Sequence, residues 1–332
     1  MKAIIPVAGA GTRLRPHTYT QPKPLIPVAG KPIIASIIDQ LIEEAGIQEF
    51  ILIIGYLGNK IQSYLEERYP DLNMEFVFQE ERKGLGHAIW VAQDSLKDSD
   101  EVLIVLGDTI FETDLRSMLK VSDSCLGVKK VDDPRDFGVV EIDEKGFIKK
   151  VVEKPRIPKS NMAIVGLYKI ADVPALVRSL NHIVENDIRT VNEYQLSDAL
   201  MHMIETGTRF QPFKVNNWFD CGKKEILLAT NAMLLKRMGY ATADISEFEN
   251  TIIVHPVSIG QNCNISNSII GPNVSIGDNS SLNYAIVSNS IIGDYSNIEE
   301  IVLQRSIVGS DASVRGQYQS LNIGDNTEID FG

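Results

Sequence analysis

From about Thr251 onward the sequence stops writing helices. Short pairs of Ile and Val recur between turns of Gly, Asn, Asp and Ser. Ser268-Ile-Ile-Gly, Ser290-Ile-Ile-Gly and Ser306-Ile-Val-Gly follow one another at spacings of 22 and 16, and Ile-Gly stands at 259–260, 276–277 and 323–324. Such pairs cannot make helices, but they can stack as rungs of a solenoid in which each turn covers the apolar face of its neighbour. The uneven spacing predicts imperfect coils interrupted by loops. This segment, 241–332, is expected to form a domain of its own.

Residues 1–240 follow a different grammar. Lys2–Ala8 is an apolar run ending in a glycine-rich loop, and Pro32 opens a helix that carries Ile33, Ile34, Ile37, Ile38 and Leu41 on one face until Gly46 stops it. Strands are expected at Phe50–Ile54, Met74–Gln79 and Glu101–Leu106, with helices at Lys60–Tyr69 and His87–Leu96 between them. The alternation predicts an α/β fold: a Rossmann-like mixed, mostly parallel sheet sandwiched by helices. A hairpin over Val139–Ile142 and Phe147–Glu153, then helices near Val173–Val184, Glu193–Glu205 and Lys224–Lys236, complete this half. Hexads such as Val274-Ser-Ile-Gly-Asp-Asn in the second half resemble the hexapeptide repeats of the left-handed parallel β-helix.

Composition narrows the partners. With 44 acidic against 32 basic residues the net charge is −12, which argues against nucleic acid or an anionic membrane surface but allows a local cationic pocket for phosphates. No apolar run approaches the ~20 residues needed to span a bilayer. MKAIIPVAGAG is too short an apolar stretch for a signal peptide, so it reads as a buried strand in a cytoplasmic protein. Cys125, Cys221 and Cys263 have neither zinc spacing nor a disulfide framework and read as reduced thiols.

Chemistry is concentrated after the first strand. In Gly9-Ala-Gly-Thr-Arg-Leu-Arg-Pro the glycines let backbone N–H groups approach a di- or triphosphate, and Arg13 adds a bidentate cation. As a dinucleotide fingerprint the loop fails: Leu14 stands at the third glycine position and no acidic residue lies about twenty residues on. As a Walker A loop it lacks the Gly-Lys-Ser/Thr ending. Within nine residues comes Thr20-Gln-Pro-Lys-Pro-Leu-Ile-Pro-Val-Ala-Gly-Lys-Pro, where prolines stiffen the loop around Lys23.

Together these stretches resemble the signature of the sugar-1-phosphate nucleotidylyltransferases, most like the branch that makes thymidylyl sugars from glucose 1-phosphate. The resemblance covers roughly residues 1–235, with further motifs in the family's order. It implies that Ala8, Gly9, Gly11, Thr12 and Arg13 bind the nucleotide phosphates, with Arg13 and Lys23 catalytic. It further implies that Gln79 and Gly84 in Gln79-Glu-Glu-Arg-Lys-Gly84 meet the base, and that Asp108 (Leu106-Gly-Asp108) and Asp220 (Trp218-Phe-Asp220) hold Mg²⁺. Glu153 and Lys154 resemble the family's Glu-Lys-Pro pair for the sugar phosphate, with Gly138 and the Val165-Gly-Leu-Tyr168 strand closing that pocket; Arg189 is a further candidate for the sugar phosphate. His87, early in a helix, reads as a packing or capping residue, since attack by a phosphate needs no proton abstraction.

Two departures keep the substrates open. Thr109 stands where the thymidylyl branch often has Asn, and Gly-Leu-Gly-His-Ala is closer to uridylyl enzymes. The expected reaction is NTP (dTTP first, UTP or GTP as alternatives) plus sugar 1-phosphate (glucose first) giving NDP-sugar and diphosphate. Two other readings stand beside it. One is a non-catalytic subunit that senses a nucleotide sugar; its cation and metal motifs would be degraded, and here none is. The other is a solenoid acyltransferase, for which His255 is the lone candidate base and reads better as a cap. The solenoid's exposed edges suggest a homo-oligomer.

Overall fold

A computed structural model of the chain describes residues 1–239 and 248–316. It divides into two compact units, Met1–Thr230 and Asn231–Gly332. The expected boundary at 240/241 and the Ile323-Gly324 pair lie outside the described residues.

In the first unit the alternation becomes a nine-stranded mixed sheet. Its chain order begins with β1 (Lys2–Pro6), a small hairpin of β2 (Pro27–Val28) and β3 (Lys31–Pro32), then α1 (Ile33–Ala45), β4 (Glu49–Ile54), α2 (Gly58–Arg68), β5 (Asn73–Phe78), α3 (Leu85–Val91) and β6 (Val102–Val105). These strands form a parallel group in the order β6-β1-β4-β5, with Ile4 level with Ile51 on one side and Ile104 on the other. α1 exists because its Ile and Leu side chains share one buried face. Gly46 ends it at φ 67, where the Ile47 N–H reaches back to the Leu41 carbonyl at 3.2 Å. The helix expected over His87–Leu96 is shorter: α3 stops at Val91 and a 3₁₀ turn covers Gln93–Leu96.

The rest of the unit is β7 (Thr109–Glu112), α4 (Leu115–Leu119), β8 (Ser124–Lys130), the hairpin β9 (Gly138–Ile142) and β10 (Ile148–Glu153), β11 (Met162–Ile170), α5 (Val173–Glu185), α6 (Leu196–Glu205), β12 (Phe210–Lys214), β13 (Asn217–Asp220) and α7 (Lys224–Met238). β11 runs antiparallel to β6, β8 and β9. Its register against β8 shifts between Ile164 and Tyr168, around Gly166 at φ 80, so one long strand serves different partners along its length. Asp172 caps α5 by accepting the Ala175 N–H at 2.8 Å. Among the described residues no helix is long and apolar enough to cross a membrane. All three cysteines are free thiols, and burial pushes Cys125 and Cys221 up to about 12.

The second unit is a parallel β-helix with three sheets of four short strands. Ile252, Ile269, Ile286 and Val302 stack on one face, so successive coils advance by 17, 17 and 16 residues. The expected loops do not occur between Ile252 and Arg315. The spacing of 22 arose because Ser268 precedes a strand of one face and Ser290 a strand of the next. The inside is a column of aliphatic side chains, among them Ile265, Ile270, Val274, Leu282, Val287, Ile292 and Ile298. Corners require the left-handed backbone region, and Asn262, Asn267, Asn273, Asn279, Asn289 and Asp311 occupy it at φ 48–60. Their amides also link coils: Asn273 Nδ2 donates to Asn289 Oδ1 at 2.8 Å, and Asn262 Nδ2 to Asn279 Oδ1 at 3.3 Å.

These corners make a direct prediction. Asn279→Val places a β-branched residue at φ 56, which costs about 1–2 kcal/mol, whereas Asn279→Gly keeps the conformation. Urea unfolding should show the valine variant clearly less stable than the glycine variant; equal midpoints would refute the corner argument.

Candidate active site

Parallel strands deliver their C-terminal ends to one edge, and the cleft lies there. It has a volume of about 700 Å³ and is walled by the loop after β1, by Lys23 and Pro24, by Gln79 to Leu85 after β5, and by Gly107-Asp108 after β6. Gly11 turns at φ 60, against Thr18 and Lys23, and the Thr18 hydroxyl donates to its carbonyl at 2.9 Å. Thr12 and Arg13 sit in a short 3₁₀ turn behind it. The carbon that alanine would add at Gly107 falls 2.2 Å from Val7 Cγ1, so the β1 and β6 loops approach as closely as they do only because that residue is glycine.

Lys23 is buried at 8 % exposure and lies between two carboxylates. Its Nζ is 2.5 Å from Asp108 Oδ2 and 3.6 Å from Asp220 Oδ1. The aspartates belong to segments more than a hundred residues apart, joined by the antiparallel β7–β13 ladder in which Asp220 faces Thr109 and the Cys221 N–H donates to the Asp108 carbonyl at 3.0 Å. Thr109 is itself buried, its hydroxyl donating to Asp108 Oδ1 at 3.3 Å. Arg13 closes the ring, because a Cβ at Gly222 would stand 3.0 Å from both Arg13 Nη2 and Asp220 Oδ1. Among the described residues no cluster of three or more His, Cys, Asp or Glu side chains could hold a metal alone. Two hard carboxylate donors converging on one cationic position suit Mg²⁺, which normally completes its shell with water and substrate phosphate.

At the other end of the cleft Gln79 is 4 % exposed, its Nε2 facing the Gly84 carbonyl at 3.3 Å and His87 Nδ1 at 3.0 Å. Gly84 has φ 111, and a Cβ there would be 2.5 Å from the Tyr194 carbonyl. His87 is no cap; it is buried against Tyr194 and Trp90, and desolvation, then Lys83, lowers its pKa.

The expected sugar residues form a second group. Gly138 pairs with Glu153 across the β9–β10 hairpin, and Glu153 Oε2 accepts the Ser197 hydroxyl at 3.0 Å. Lys154, at φ 41, stands half exposed with its Nζ 3.6 Å from Glu153 Oε1. Tyr168 is buried, and its hydroxyl pKa is raised by that burial and then by Glu153 and Asp108, which places it within electrostatic reach of both groups. Val165 packs in the core at 1 % exposure, so its side chain is withheld from a ligand. Arg189 is engaged elsewhere: it donates to Asp187 at 2.7 Å and to the Tyr194 hydroxyl at 3.1 Å, lying over that ring. Sequence reasoning assigned no role to Arg82 or Glu193, which line the cleft. The signal available was Gly84-Leu-Gly86, two glycines that make room for the 193–195 backbone.

Residues 2–237 match the family model described as nucleotidyl transferase. The chain belongs to the nucleotidyl transferase family. It is 37 % identical over 239 residues to the bifunctional protein GlmU of Methanocaldococcus jannaschii, covering 72 % of this chain and 55 % of that one. It thus spans little more than half the length of that relative. It is 29 % identical over 316 residues to the glucose-1-phosphate thymidylyltransferase of Streptomyces antibioticus, covering 88 % of this chain and 87 % of the relative. A UDP-glucose pyrophosphorylase solved with UDP-glucose superimposes with a TM-score of 0.61 at 25 % identity, over 71 % of this chain and 98 % of that one.

The tight Gly84 turn generates a test. Gly84→Ala forces the loop off the Tyr194 carbonyl, so the Michaelis constant for NTP should rise at least roughly tenfold, because the close backbone approach has no room for Cβ. Unchanged NTP saturation kinetics would show that this loop does not touch the nucleotide.

Proposed function

We propose that this chain transfers a nucleotidyl group from an NTP to a sugar 1-phosphate, releasing diphosphate, with dTTP or UTP as donor and glucose 1-phosphate as acceptor. The observation that carries the proposal is the convergence of the Gly9–Arg13 loop, Lys23, Asp108 and Asp220 on one side of a cleft whose other end is Gln79 and Gly84. That is a phosphate-binding end and a flat hydrogen-bonding end in one space large enough for a nucleoside triphosphate.

In the reaction an oxygen of the sugar phosphate attacks the α-phosphorus, and the bond to the β-phosphate oxygen breaks. No base is needed, because the attacking oxygen already carries charge. The residues' task is therefore positioning and charge neutralisation. Loop N–H groups and Arg13 would receive the triphosphate oxygens. Asp108 and Asp220 would hold Mg²⁺, which when bound neutralises charge on the phosphates. Lys23, now shared by the two carboxylates, would carry an ammonium to the same centre. Lys154 would take the sugar phosphate and Glu153 the sugar hydroxyls, with Ser197 fixing the carboxylate.

The test is diphosphate release with Mg²⁺ across dTTP, UTP, GTP, CTP and ATP, each with glucose, galactose and mannose 1-phosphates. Release with dTTP or UTP and glucose 1-phosphate is expected. Asp108→Asn should abolish it, chelation should stop it reversibly, and Arg13→Ala should lower kcat by ~10²–10³-fold, the usual worth of a charge-stabilising donor. No release from any pair would sink the proposal.

The β-helix supports a homo-oligomer on its own evidence. Ile252, Ile269, Ile286 and Val302 point outward at 60, 37, 45 and 69 % exposure, on a face whose four strands carry no charged residue. A chain of net charge −12 repels its own copies elsewhere, so this uncharged face is where a second copy can approach. Ile286→Lys should lower the mass seen by light scattering while leaving circular dichroism unchanged; an unaltered mass would assign assembly to another surface.

A further inference from the structure

Gln79 and His87 are bound to one another in a way that fixes the chemistry of each. A backbone carbonyl can only accept a hydrogen bond, so the amide group facing the Gly84 oxygen at 3.3 Å must be the nitrogen of Gln79. The same nitrogen lies 3.0 Å from His87 Nδ1. With its two N–H bonds pointing at Gly84 and His87, it requires an acceptor at Nδ1, and the ring proton then resides on Nε2. The imidazole has little freedom to do otherwise. It is 8 % exposed, with its ring centroid 5.5 Å from that of Trp90 and 6.2 Å from that of Tyr194. Burial, seconded by Lys83, keeps it neutral.

What remains is the carbonyl oxygen of Gln79. It accepts no hydrogen bond from the described residues, yet it is not among the enclosed polar atoms that lack a partner. Gln79 lines the cleft, so this oxygen opens into it as a fixed acceptor.

We propose that His87 is a positioning residue for base selection: its Nδ1 lone pair holds the Gln79 amide with the carbonyl turned into the cleft, so the site takes a base that presents a ring N–H. This rests on the nucleotide reading above and deepens it. Uracil and thymine offer an imide N3–H to such an acceptor. Cytosine, of the same ring size, offers a lone pair at N3 and would set acceptor against acceptor. Leaving such groups unpaired in a buried site disfavours the wrong base by roughly 10- to 100-fold. Without the His87 acceptor the amide is free to rotate, and the distinction between uracil and cytosine weakens.

The experiment compares wild type, His87→Leu and His87→Asn, whose Oδ1 can stand in for Nδ1. kcat and KM are measured for UTP, dTTP and CTP with glucose 1-phosphate, and ¹⁵N resonances report the His87 tautomer in the wild-type protein without substrate. We expect the Nε2–H tautomer in the wild type. His87→Leu should raise KM for UTP and dTTP about tenfold, with a much smaller change in kcat, and narrow the UTP-to-CTP ratio of kcat/KM by the same factor. His87→Asn should restore most of that ratio. A His87→Leu variant that loses kcat equally on all three nucleotides, or keeps the wild-type ratio, would make His87 a merely structural residue and overturn the proposal. An Nδ1–H tautomer in the wild type would overturn it as well. The expected tautomer with no preference of UTP over CTP would overturn the selectivity. Failure to release diphosphate from any NTP would instead refute the nucleotidyl reading, and the tautomer measurement is independent of that result.

Discussion

The ion cluster of Lys23 with Asp108 and Asp220 is the constraint on which the catalytic unit turns. A lysine at 8 % exposure would be expensive to desolvate alone, and two carboxylates brought side by side would repel. Each problem is the other's solution, so the cluster is tolerable only as a complete set. Completeness requires that β7 and β13 pair in one register, that the loop carrying Lys23 be stiffened by its prolines, and that Gly107 let the β1 and β6 loops touch. The same set is poised to exchange partners: two oxygens and an ammonium around one point are suited to a metal and phosphates.

Much of this was legible in the chain. The glycine loop, the proline-flanked lysine and the two Gly-neighbouring aspartates could be read in order, because motifs that bind phosphate through backbone N–H groups need small residues at fixed offsets. The βαβ half was legible because apolar periodicity switches cleanly between strand and helix. What could not be read was contact at a distance. Nothing local says that Gly84 and Gly86 are small because Tyr194 and Gln195 lie on them, or that Arg189 lies over Tyr194 rather than reaching a phosphate. The role of His87 was equally hidden, since a buried histidine early in a helix reads as packing until its Nδ1 is seen beside Gln79.

The β-helix was misjudged in one respect for an instructive reason. Counting Ser-Ile-Ile-Gly units mixes strands of different faces, and so an almost constant coil of 16–17 residues looked irregular. The corner residues carry the true period. Asn262 and Asn279, then Tyr295 and Asp311, mark one edge coil after coil at positive φ. Backbone conformation, more than hydrophobicity, is the better ruler for a solenoid of this kind.

The separation of the paired segments along the chain has a consequence for how the molecule is made. Each coil of the β-helix bonds to the one 16 or 17 residues behind it, so it can form rung by rung as it leaves the ribosome. In the catalytic unit β12 must find β8, and β13 must find β7, across segments that include the whole β9–β11 region. Until Asp220 has been synthesised, Lys23 and Asp108 stand as an incomplete pair. The nascent protein therefore carries a half-built charge site through most of its translation, and the last strands of the first unit are the step that closes it.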